Sequence, residues 1–147
     1  MARYVTRVRT SRPAEEVIDH LADLRHFADW DPGVTEVTQL VGDGAGPDAE
    51  YDVTVRGVVG HLTLRYRTVE FVPGEYVLVV ARSAVFTSED RISVVGDEHG
   101  SVVTYDADLR LNGPLRLADP LLIPVFHRIG EAAAAGLRDE LAGVRVL

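Results

Sequence analysis

The chain has no cysteine. Disulfide staples, thiolate metal ligands and thiol nucleophiles are therefore excluded. It has no lysine either, all 15 of its cationic side chains being arginine, and that excludes a lysine Schiff base. It carries a single tryptophan. Long apolar runs are missing: "YVLVVA" (residues 76–81) is among the longest, against the roughly 20 residues needed to cross a bilayer. The first ten residues alternate polar and apolar and contain no signal-peptide core, so a soluble cytoplasmic protein is expected. Basic surface is scarce too. With a net charge of −8 and no arginine cluster interleaved with aromatics, nucleic acid is not an expected partner.

What remains is 147 residues, 46% of them hydrophobic, enough for one ordinary core without a disulfide or structural metal. A single domain over residues 1–147 is expected. "RYVTRVRT" alternates with Tyr4, Thr6 and Val8 on one face and reads as a first strand. "SRPAEEVIDHLADL" reads as a short amphipathic helix. Pro13 suits its first turn, Glu15 and Glu16 suit its positive end, and Val17, Leu21 and Leu24 share a face. "FADWDPGV" ends that helix and "TEVTQLV" opens a second strand. "VGDGAGPDAE" (residues 41–50) reads as a long mobile loop, since its glycines fit no phosphate-cradling pattern. Five further stretches then read as strands joined by tight turns: "AEYDVTVRG", "HLTLRYRTVEF", "YVLVVARS", "VFTSEDRISVV" and "SVVTYDADLRLNG". From Gly113 the period becomes helical, with Leu115, Leu122, Phe126, Ile129, Ala133 and Leu137 in one narrow arc. Asp119 and Pro120 are the expected N-cap and first residue of a long terminal helix, kept thin by the alanines at 132–135.

That order, carried by "RPAEEVIDHLADLRHFADWDPGV", "EDRISVVGDEHGSVVTYDADLRL" and "GPLRLADPLLIPVFHRIGEAAAAGLRDEL", resembles the SRPBCC superfamily, the START-like, birch-pollen-allergen-like helix-grip fold. Within it the chain is similar to the bacterial polyketide cyclase/dehydrase-like group. The resemblance implies an α+β fold: a curved six- to seven-stranded antiparallel sheet wrapped around a long C-terminal helix, with two short helices between strands 1 and 2. It also implies a cavity between sheet and helix that takes a hydrophobic or amphipathic small molecule such as a lipid or polyketide. A cyclase/dehydratase-type enzyme using the same cavity is one alternative. A protein-partner module, of the toxin–antitoxin-like kind, is another. No cofactor is expected, and the oligomer is left open between monomer and homodimer.

Strand alternation places Tyr51, Val53, Leu64, Tyr66, Phe86 and Ser88 on the inward face, followed by Tyr105, Ala107 and Leu109. Leu122, Phe126 and Ile129 would line the cavity from the helix. On the same frame Asp90 points inward, where Tyr105 and Arg82 on neighbouring strands can pair with it. It would then be a polar anchor or a general acid/base for a carbonyl-bearing ligand. A frame shifted by one, with Glu89 and Arg91 inward or Asp90 in solvent, is the alternative preferred over catalysis. His20 and His26 with Asp19, Asp23 and Asp29 match no metal signature, so no metal site is expected. No G-x-S-x-G is present, and Ser83, Ser88 and Ser93 have no recognisable histidine partner. In "FADWDPGV", Trp30 and Phe27 are expected to cap the core, with Trp30 at the cavity entrance. Asp29 and Asp31 are read as capping and solvated residues.

Overall fold

The computed structural model describes residues 2–56 and 60–146. Gly57, the last residue of the expected third strand, and the two ends of the expected 1–147 domain lie outside the described residues. The chain begins with β1 (Ala2–Thr10), α1 (Ala14–Ala22), a 3-10 turn (Leu24–His26) and α2 (Phe27–Trp30). Six strands follow: β2 (Val34–Val41), β3 (Glu50–Arg56), β4 (His61–Val72), β5 (Tyr76–Arg82), β6 (Phe86–Asp97) and β7 (Gly100–Leu111). A 3-10 helix (Gly113–Leu121), α3 (Ile123–Glu140) and β8 (Val144–Val146) complete it.

The strands form one curved antiparallel sheet in the order β2-β3-β4-β5-β6-β7-β1-β8. Strands β2 to β7 are a meander, and β1 closes against β7 with Tyr4 opposite Ala107 and Thr6 opposite Tyr105. The period-2 pattern is unbroken in β1, where Ala2, Tyr4, Thr6, Val8 and Thr10 are buried and the residues between them exposed. The sheet has eight strands where six or seven were expected. The addition is β8, three residues paired with Arg7, Val8 and Arg9, too short to show any periodicity in the sequence.

In α1, Val17, Ile18, Leu21 and Ala22 are buried, and Pro13 stands at the N-cap. Together with Phe27, Trp30, Ala133 and Leu137 they share one core with the inward faces of the strands. The terminal helix does not start at Pro120. Residues Gly113–Leu121 form a 3-10 helix, and regular α-helix begins at Ile123 with Pro124 in its first turn. Two causes are visible. A helix begun at Pro120 would place Pro124 where an N–H must bond back along the chain, and proline has none. Asp119 is not at the cap position, which Leu122 takes, and its Oδ1 accepts the N–H of Leu111 at 2.9 Å, tying the segment to the end of β7. Three residues per turn also removes Leu115 from the expected arc, and it lies exposed.

Two glycines let α3 lie close on its neighbours. A Cβ at Gly130 would collide with the ring of Tyr4, and one at Gly136 with the carbonyl of Trp30. No helix among the described residues is long and apolar enough to cross a membrane.

Candidate functional site

Sheet and helix do not fill the space between them. A cavity of about 230 Å³ remains on the concave side, covered by the middle of α3. Its walls are apolar. Leu64 comes from β4, Phe86 from β6, Ala107 and Leu109 from β7, and Phe126 and Ile129 from α3. Alternation accounts for the sheet residues: Ser88 stands opposite Leu109, and Asp90 opposite Ala107, on paired strands. The rim is open to solvent at Leu62 and Ile129, which are 45% and 48% exposed. Arg56, also exposed, stands with them.

The inner end is polar. Asp90 is 5% exposed, and Tyr105 donates to its Oδ2 at 3.0 Å. Tyr66 donates to the Ser88 hydroxyl at 3.2 Å, and Ser88, two residues from Asp90 on the same strand face, favours the ionised Asp90 carboxyl. Burial, with the charge of Asp31 behind it, pushes Asp90 up to about 7, although Tyr105 and Ser88 favour its ionised form. Both phenols are driven above their ordinary range, first by burial and then by the negative charge of Asp90.

Asp31 completes this end and corrects the sequence reading. It is 7% exposed and lines the cavity, so it is not a solvated residue. The capping part of the reading survives: its Oδ1 accepts the N–H of Gly33 at 2.8 Å. Such an Asx turn folds the side chain back over the Pro-Gly corner, here underneath α3. Burial lifts its carboxyl to about 6, with the Gly33 N–H opposing. The Asp-Pro-Gly signature gave notice of the turn, but only the packing of α3 over it decides that the carboxyl is buried. Asp29, two positions earlier, is exposed beside His26 Nδ1 at 3.3 Å.

Of the residues singled out in the sequence, Leu64, Tyr66, Phe86, Ser88, Asp90, Tyr105, Phe126 and Ile129 meet around the cavity. The preferred shifted frame is corrected: Glu89 and Arg91 pair outward on either side of a buried Asp90. Arg82 does not reach Asp90; it is exposed at the end of β5, opposite Thr87. Tyr51 and Val53 are wholly buried but line other parts of the core. The Tyr51 hydroxyl donates to the Gly44 carbonyl at 2.9 Å, bracing the glycine loop. Leu122 precedes α3 and does not line the cavity. Trp30 is not at the entrance. It is 3% exposed behind the inner end, edge-on to Tyr105 with ring centroids 5.4 Å apart, while Phe27 takes the place on the wall. Val34, Val55 and Leu62 were missed as wall residues, because alternation does not reveal which part of an inward face stays uncovered. His20 and His26 stack at 4.1 Å; among the described residues no group of three or more metal-binding side chains is assembled.

The sequence model of the family described as polyketide cyclase / dehydrase and lipid transport matches residues 1–142. No curated protein matches the sequence. Among solved structures, a START superfamily protein from Mycobacterium smegmatis is similar with a TM-score of 0.73 and 17% identity, over 97% of this chain and 98% of that one. Zhui aromatase/cyclase from a Streptomyces species gives a TM-score of 0.72 and 18% identity, over 95% and 93%. A STAR-related lipid transfer protein from Xanthomonas axonopodis gives 0.69 and 18%, over 95% and 85%. At such identities the likeness shows the START-like helix-grip fold and nothing finer.

Proposed function

We propose that this chain, which belongs to the polyketide cyclase/dehydrase and lipid transport family, binds a compact apolar or amphipathic small molecule between its sheet and α3. The observation that carries the reading is the cavity: apolar walls, a solvent-open rim and a few hydrogen-bonded polar groups gathered at one end. That division of labour is the common one in ligand pockets, where apolar walls supply affinity and sparse polar groups supply orientation. Size narrows the class. A cavity of about 230 Å³ lies below the roughly 300–1,000 Å³ usual for ligand pockets, which favours a compact ligand over a two-chain lipid. The net charge of −8 supports a small-molecule partner over nucleic acid, in a cytoplasmic monomer or homodimer.

Native mass spectrometry of the purified protein, followed by extraction of any bound molecule, tests this. Ile129→Trp supplies the control, because a half-exposed rim residue tolerates enlargement while the mouth narrows. Binding of 1-naphthol should fall at least tenfold in this variant with the melting temperature unchanged. Equal binding by the variant and the parent, or none by the parent, sinks the reading.

A second reading is favoured by one feature, the Asp90–Tyr105 pair. A carboxyl held at about 7 is suited to moving protons at neutral pH. In a cyclase/dehydratase-type enzyme, Asp90 would be the general acid/base and Tyr105 its orienting partner. Turnover of a small poly-β-ketone that survives Asp90→Asn would remove it.

A further inference from the structure

The inner end of the cavity is richer in acceptors than in donors. Tyr105 spends its proton on Asp90, and Tyr66 spends its proton on Ser88. Ser88, two residues along the same strand face, favours the ionised form of Asp90. Both phenol protons are thus committed, one to the Asp90 carboxylate and one to the serine beside it. Asp31 has one oxygen occupied by Gly33 N–H, and among the described residues its Oδ2 receives no hydrogen bond. No arginine or histidine is hydrogen-bonded or ion-paired to either carboxyl among the described residues; the one cation on the lining, Arg56, is exposed at the rim. Two carboxylates buried without a counter-ion are costly. A ligand that brings the missing positive charge offsets that cost, and one that brings only a carbonyl finds a donor only while a carboxyl is protonated.

We propose that the cavity selects a protonated amine: a compact apolar body against Phe86, Phe126 and Ile129, with its ammonium group between Asp90 and Asp31. This rests on the apolar-ligand reading above and adds the charge of the ligand head. Ammonium presents three donors and no acceptor, which matches the lone pairs left open here. Selection must depend on pH. The groups facing the two carboxyls are Tyr66 from β4, Ser88 on β6 itself, Tyr105 from β7 and, at longer range, Asp106 on the outer face of β7. From α3 come only Phe126, Ile129, Gly130 and Ala133, none of which titrates, and from α2 only Phe27. With Asp31 at about 6 and Asp90 at about 7, both carboxyls are largely protonated at pH 5 and ionised at pH 8. Amine affinity therefore rises with pH. A carbonyl ligand, which needs a protonated carboxyl to donate to it, behaves oppositely.

The test is calorimetric titration of the full chain with 4-phenylbutylamine, 4-phenylbutanol and 4-phenyl-2-butanone at pH 5 and pH 8. The amine and the alcohol share one phenylbutyl body, the ketone carries the shorter phenylethyl one, and the amine stays charged throughout. The expected result is an amine affinity at least tenfold above that of the alcohol at pH 8, shrinking severalfold or more at pH 5. The preference should vanish at pH 8 in Asp31→Asn/Asp90→Asn, whose fold is checked by circular dichroism. Alcohol or ketone binding as tight as the amine at pH 8 overturns the amine inference and leaves the apolar-ligand reading standing. A preference that persists in the double variant overturns the assignment to these carboxyls. Binding of none of the three at millimolar concentration overturns both readings.

Discussion

Replacing Asp90 with Asn should make the protein more stable, and only above a definite pH. Asparagine has the same shape and still accepts from Tyr105, so packing and the 3.0 Å hydrogen bond are retained; what disappears is the ionisation. In the unfolded chain the carboxyl titrates near 3.8, in the folded chain at about 7. The folded state therefore holds the proton more tightly. Below about pH 4 both states are protonated and the group contributes no penalty. As pH rises from 4 through 7 the unfolded chain ionises first, and the fold is weakened progressively. A tenfold change in the proton equilibrium is about 1.4 kcal/mol, so the full penalty is of order 4 kcal/mol. Asp31, lifted to about 6, weakens the fold in the same direction, but it is common to both proteins and cancels to first order. The variant should match the parent at pH 4 and exceed it at pH 8 by about 2–4 kcal/mol, or some 5–10 °C in melting temperature for a chain of this size. Urea titrations of both proteins at half-unit steps from pH 4 to pH 8.5 give the difference directly. A stability difference that does not vary with pH, or a variant weaker than the parent at pH 8, would refute a buried ionising Asp90.

Two further substitutions test the packing that surrounds the site. Trp30→Ala should lose about 3–5 kcal/mol in urea unfolding, because the indole is buried against Phe27 and Tyr105; a loss below 1 kcal/mol would return Trp30 to the entrance. Gly136→Ala pits helix propensity, worth about 1 kcal/mol in favour of alanine, against overlap with the Trp30 carbonyl. Overlap should win, with a net loss of about 1–3 kcal/mol by thermal melts, and a stabilised variant would show that α3 does not rest on α2.

The strands were legible because one face of each is buried and the side-chain period is 2, as in β1 and β7, where alternation held across the whole of each strand's inner stretch. That same regularity put Asp90 inward on the frame of Phe86 and Ser88, and the preferred shifted frame failed because β6 and β7 pair without a bulge. The start of α3 was not legible. Apolar spacing in residues 113–122 suits a 3.6-residue period, but the proline positions and the Asp119–Leu111 bond select a 3-10 helix instead. Fold membership was readable along most of the chain, whereas the division of the inward residues into filled core and cavity wall was not. Tyr51 and Leu64 lie on the same alternating face, yet only Leu64 borders the cavity, because the difference depends on which helix lies above each.

Asp31 shows how the two kinds of information combine. Residues 27–33 look like punctuation, and in backbone terms they are: α2 ends, the Asx turn closes, and β2 begins. But several groups there serve the site. Phe27 is wall, the Trp30 ring backs Tyr105, the Trp30 carbonyl seats Gly136, and Asp31 supplies the second carboxyl. Because the α2–α3 contact at Gly136 leaves no room even for a methyl group, that end of the grip is shut. The exposed wall residues are Leu62, near the start of β4, and Ile129, in the half of α3 nearer its start. A ligand of the proposed kind would then enter past Ile129 with its apolar body trailing, and present its head group to the two carboxyls.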